Sequence, residues 1–156
     1  MTRSGDVAVA LGRGLVAGAI GTAAMTVSSS IEAKLRHREA STAPADAASQ
    51  VLGVEPTTDQ GKARFSTVVH WSYGSAWGVM RGLLGLAGTP DILAGVAHFA
   101  TVWGSELVML PRLGVAPPLS EWGSTELAID AWHHTVYVTA TSIAYRHLRQ
   151  HTTSTP

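Results

Sequence analysis

The chain contains no cysteine, which excludes disulfides, thiolate metal sites and thiol chemistry and leaves the redox compartment open. Charge is also scarce: 14% of the 156 residues are Asp, Glu, Lys or Arg, against about 25% in an ordinary water-exposed domain. Lys+Arg and Asp+Glu are both 11, so no basic surplus exists to attract nucleic acid. Known catalytic signatures are absent too. There is no nucleotide loop, nucleophile elbow or zincin motif, Gly12-Arg13-Gly14 is too short to cradle a phosphate, and Ser28-Ser29-Ser30 reads as small-residue helix packing. This weighs against an enzyme.

What remains is concentrated in four stretches with almost no charge, roughly Gly14–Ile31, Phe65–Met80, Ile92–Leu110 and Leu127–Tyr145. Each falls slightly short of the roughly 20 apolar residues of a typical membrane helix, and the mean hydropathy is only +0.16. Sixteen glycines with many Ala, Ser and Thr explain that low value, and these same residues suit close helix packing in lipid. Tryptophans near several of the ends fit a membrane interface. A cleaved signal peptide at the start is disfavoured, because the first apolar run is long, interrupted by Gly and lacks a clear small-x-small cleavage site.

The expected fold is all-α: a single four-helix transmembrane bundle over residues 1–149, with spans at about 10–32, 65–87, 91–110 and 125–148. Gly14, Gly18 and Gly21 share one face of the first span, and Gly74, Gly78 and Gly82 repeat the spacing in the second. Ser41-Thr42-Ala43-Pro44-Ala45-Asp46 reads as a helix start and Gly53 as a stop, giving a short interfacial helix at about 43–52. Residues 55–64 form a polar connector. Thr89-Pro90-Asp91 is a turn that makes the second and third spans antiparallel neighbours. Pro111 ends the third span, Pro117-Pro118 stiffens the following loop, and residues 150–156 form a disordered tail. One face of the bundle carries Arg3, Arg13, Arg81, Arg146 and Arg149, the other Lys34, Arg36, Arg38, Lys62, Arg64 and Arg112. Five against six sets no orientation.

Ionisable groups inside these stretches are costly, about 2.5–3.5 kcal/mol for a charged form at mid-bilayer, so each needs a partner, an ion or a proton. At 100° per residue, Glu126, Asp130, His133 and Tyr137 form one stripe on the last span. His134 lies 100° from His133, which makes His133 the inward candidate. Counted from the Lys34–Arg64 side, Glu32, His70, Glu106, Asp130 and His133 lie within roughly 14 Å of depth and could converge. The candidate metal site is therefore His70, Glu106, Asp130 and His133, with Glu32 and Glu126 as further members. Nitrogen and oxygen donors suit Zn, Mn or Fe. The same groups could pass protons or serve only as structural pairs. His98 enters from the opposite side and is expected to be a satisfied packing histidine.

Leu113-Gly114-Val115-Ala116-Pro117-Pro118, then Glu121-Trp122, Glu126 and Trp132-His133-His134-Thr135-Val136-Tyr137, with Arg146 and Arg149 behind, resembles the YagU-like family of bacterial inner-membrane proteins. Upstream Phe65-Ser66, His70-Trp71 and Tyr73-Gly74 resemble it as well. The likeness covers about residues 65–149. It implies a four-helix protein of the bacterial inner membrane, with His and acidic residues near one surface and both termini in the cytoplasm, and it implies no reaction. The doubled histidine and the basic exit of the first span depart from that pattern. Three roles follow as expectations: a metal or proton site in the bilayer; an accessory or scaffold protein packing against partner helices or its own copies; and, less favoured, a haem or quinone redox module.

Overall fold

The computed structural model describes residues 3–39 and 41–151. Five α-helices follow in order: α1 (Arg3–Leu35), α2 (Ala43–Leu52), α3 (Asp59–Leu86), α4 (Asp91–Arg112) and α5 (Ser124–His151), with a 3-10 turn at Leu119–Glu121 before the last. No strand occurs among the described residues. Helices α1, α3, α4 and α5 form the bundle, and α2 packs on α3.

Several boundaries extend past their expected limits. Helix α1 has 33 residues, about 50 Å at 1.5 Å per residue. Helix α3 starts at Asp59 rather than near 65, because Thr58 Oγ1 accepts the Gly61 N–H at 3.1 Å and Asp59 supplies an acid in the first turn. The second half of the expected polar connector is therefore helical. Pro111 lies inside the last turn of α4, and the chain turns beyond Arg112 through Gly114 at φ +70°. Helix α5 continues through Gln150 to His151, so the expected tail loses its first two residues to helix. Its remainder lies outside the described residues. Helix α2 begins with Pro44 in its first turn and ends on Gly53 at φ +64°, whose N–H reaches Ser49 O.

Helices α1 and α4 are long and apolar enough to cross a membrane; α3 and α5 are not. Their shortfall is compositional. Lys62 and Arg64 stand in the first turns of α3, His70, Arg81 and four Gly lie further along it, and Glu126, Asp130, His133 and His134 interrupt α5.

The centre of the bundle is made of small residues and polar groups. Gly14, Gly18, Gly78 and Gly82 are buried where α1 crosses α3. A Cβ on Gly14 would lie 2.6 Å from Gly78 O, one on Gly18 would lie 2.6 Å from Ser75 O, and one on Gly78 would strike the Gly14 carbonyl and the Gly18 backbone. The two backbones touch, which only glycine at these positions permits. Helix α5 seats further along α1, where Gly21 lies under Tyr137 and Thr141. Tyr137 closes the centre by donating its hydroxyl to Gly74 O at 2.6 Å. Helix α4 leans on α5 and α3 more sparsely than α1 does, leaving Ile92 86% exposed and Leu93 and Val96 mostly so.

Candidate metal centre on the α4–α5 seam

Four histidines within the bundle each bridge a different pair of helices. His70 on α3 meets Thr26 Oγ1 on α1 at 2.8 Å. His98 on α4 is fully buried and holds Trp77 O on α3 at 3.1 Å. His133 on α5 meets Ser28 Oγ on α1 at 3.0 Å, and His134, also on α5, meets Glu106 on α4 at 2.6 Å. Because α5 lies between α1 and α4, two adjacent side chains 100° apart reach opposite neighbours. The expected single cluster is thereby divided.

On the α4 side, Glu106, Asp130 and His134 each offer a ligand atom within 4.8 Å of the others, the one such group of three among the described residues. Glu106 and Asp130 belong to the expected set; the imidazole is His134 instead of His133. The spacing explains it. Asp130 and His134 are i and i+4 on α5, and the His134 ring folds back so that Nδ1 lies 2.9 Å from Asp130 O and 3.7 Å from Asp130 Oδ1. Nδ1–H donating to that carbonyl leaves Nε2 directed at Glu106 Oε2. Asp130 is itself oriented: Trp103 Nε1–H donates to Oδ2 at 2.7 Å, leaving Oδ1 toward His134. Trp103 and Glu106 are i and i+3 on α4, so one turn of that helix supplies both a ligand and the group that aims its partner.

On the α1 side, Glu32 and Glu126 join a surface network. Arg36 bridges Glu126 at 2.5 and 3.0 Å and reaches Glu32 at 3.3 Å, while Arg38 closes a second pair with Glu32. The hydrogen bonds it donates to Glu126 raise the Arg36 pKa still further, so its charge is permanent at physiological pH. Both acids are thus committed to arginines. His133 Nε2 lies 3.7 Å from Glu32 Oε2, too far for a hydrogen bond. His70 is apart from both groups, on the α1–α3 seam.

Two contributors escaped sequence reasoning. His134 was legible as the i+4 partner of Asp130, a spacing outweighed by the inward stripe ending in His133. Trp103 has no signal of its own; tryptophan near a helix end reads first as an interfacial anchor. At the other end of the bundle, fully buried Arg81 pairs with Asp91 Oδ1 at 2.5 Å, with its guanidinium 4.7 Å from the Tyr145 ring centre and Arg149 on the other Asp91 oxygen at 3.5 Å.

Chemically, the 2.6 Å contact between His134 Nε2 and Glu106 Oε2 requires one proton between them. A bound cation would take that proton's place. Tetrahedral sites with ligand bonds near 2.0–2.1 Å separate their donor atoms by about 3.3 Å, so binding needs a separation larger by roughly 0.7 Å and releases a proton. No family model, curated protein or solved structure matches this chain.

Proposed function

We propose that this chain is a four-span integral protein of a bacterial inner membrane, a divergent relative of the YagU-like proteins, whose α4–α5 seam binds one divalent transition-metal ion through Glu106, Asp130 and His134. The membrane part is supported by an inverted distribution of polarity. Arg81, His98, His133, His134, Thr22 and Thr141 are buried, while Ile92, Leu93, Val96, Ile31 and Leu35 face outward. Water favours the reverse arrangement; hydrocarbon favours this one. Helices α1 and α4 meet the length and composition for a span by themselves, and α3 and α5 would cross beside them with their polar groups turned inward.

The observation that carries the metal reading is the orientation of the ligands. His134 gives its Nδ1–H to a main-chain carbonyl, and Asp130 is held by an indole N–H. Supporting contacts of this kind accompany metal-bound histidine and carboxylate ligands. One nitrogen and two carboxylates suit Zn, Mn or Fe(II) rather than Cu(I), which prefers sulfur.

The test is elemental analysis and zinc titration of the full chain purified in mild detergent. The expected result is about one equivalent bound, falling below about a tenth in His134→Ala and Glu106→Gln while His133→Ala retains it. Affinity should weaken as pH falls, because the shared proton competes for the same donors. Binding of less than a tenth of an equivalent by the wild-type chain would remove the metal reading and leave Glu106–His134 as a proton-sharing structural pair. A second reading is favoured by the outward apolar face of α4, around Ile92, Leu93 and Val96: an accessory protein that packs this helix against another copy or a membrane partner. A single monomeric species at every detergent concentration would count against it.

A further inference from the structure

A groove of about 700 Å³ runs between the C-terminal half of α1 and the N-terminal half of α5, on the opposite side of α5 from the metal centre. Ile31, Ile129 and Trp132 are among its apolar lining, and Ser28, Glu32 and His133 line its polar part. Clefts of this size hold small ligands. Two observations narrow the occupant.

The first is a buried ring nitrogen without a hydrogen-bond partner. His133 is 5% exposed, and its Nε2 is buried with no hydrogen-bond partner among the described residues. Ser28 Oγ meets only Nδ1 of this ring. The Ser28 hydroxyl can donate to Nδ1, and in that tautomer the ring proton is on Nε2. The nearest acceptor, Glu32 Oε2, is 3.7 Å away and already holds Arg38. In that tautomer the groove presents one buried N–H that calls for an oxygen acceptor.

The second is charge. At the rim, Arg36 and Arg38 are matched by Glu126 and Glu32. Neither a carboxylate nor an ammonium head finds an unmatched counter-charge in this network. A neutral carbonyl head fits, with an apolar body against Ile31 and Ile129. The indole of Trp132, 60% exposed, adds a flat aromatic face on which a planar ring can stack.

From this we infer that the α1–α5 groove binds a lipid-soluble quinone, one carbonyl oxygen accepting the His133 Nε2–H and the ring lying against Trp132. Ile31 at 55% and Leu35 at 75% exposure lie along the open side, so the ligand would arrive laterally from the lipid. The site is independent of the metal centre, and the inference concerns binding alone.

The experiment titrates decyl-benzoquinone into the detergent-purified full chain and follows tryptophan quenching, with Trp132→Phe setting the background from the other four indoles. Saturable quenching that disappears in Trp132→Phe is expected, with affinity at least about tenfold weaker in His133→Ala. Ile129→Trp, which fills the groove and leaves His133 in place, should abolish saturation and guards against a His133 variant that merely folds poorly. Quenching that rises linearly without saturating, or identical curves for wild type, His133→Ala and Ile129→Trp, would overturn the inference. Displacement of the quinone by monoolein or oleate as readily as by unmodified quinone would overturn the quinone assignment in favour of a general lipid groove.

Discussion

The α1–α3 and α4–α5 seams join long helices by opposite means. Along α1–α3, glycines bring backbone against backbone with no room for a methyl group. Along α4–α5, Trp103, Glu106, Asp130 and His134 span the gap with hydrogen bonds and an ion pair. The first seam gains its stability from dispersion contacts at close range. The second is held by groups that can exchange partners, as a ligand site requires.

The sharpest way to break this contrast is Gly78→Leu. Its side chain would collide with the Gly14 carbonyl and the Gly18 backbone, neither of which can rotate away. Overpacking costs about 1–3 kcal/mol where side chains yield, and backbone against backbone should exceed that, at about 4 kcal/mol or more. Thermal unfolding in detergent should show a lost or strongly lowered transition. A variant melting like wild type would mean that the seam is not close-packed. On the other seam, Trp103→Phe removes the N–H that holds Asp130 Oδ2 while keeping an aromatic ring beside Phe99. Zinc affinity should fall about 10–100-fold, the usual effect of losing a supporting contact, with little change in melting. Unchanged affinity would show that Asp130 needs no orientation. The smallest effect is expected from Gly104→Ala on α4, where a new Cβ meets nothing within 4 Å. Removing a helix-interior glycine should stabilise by up to about 1 kcal/mol; destabilisation would reveal an unseen close neighbour at that position, such as a second copy.

The glycine seam was legible because its signal is periodic. Gly14, Gly18 and Gly74, Gly78, Gly82 recur at a helical spacing, and the same residues meet in space. The helical character of the chain was readable for a similar reason. The polar seam was readable only in part. Helix periodicity placed Asp130 and His133 on one stripe, but a stripe about 60° wide can face two neighbours at once when its helix lies between them. Whether His133 or His134 faces α4 depends on the azimuth of α5 in the bundle, a tertiary quantity that spacing along one helix does not contain. Direction was not readable: Glu32 and Glu126 turn to Arg36 and Arg38 instead of to the histidines. The first turn of α3 was missed because Glu55–Arg64 is as polar as a loop, and only the Thr58 cap marks where coil becomes helix.

Under the four-span membrane reading proposed above, Arg81 has a consequence for how the chain enters the bilayer. It and Asp91 are ten residues apart on either side of the short link between α3 and α4, and they pair within that one hairpin. Helix α3 arriving alone in a bilayer would carry an uncompensated cation at a cost of about 2.5–3.5 kcal/mol. Entering together with α4, it would bring its own counter-ion. Biogenesis would then proceed by two helices at a time, and neutralising Asp91 should strand α3 outside the lipid even though α4, the more apolar of the pair, needs no help to enter.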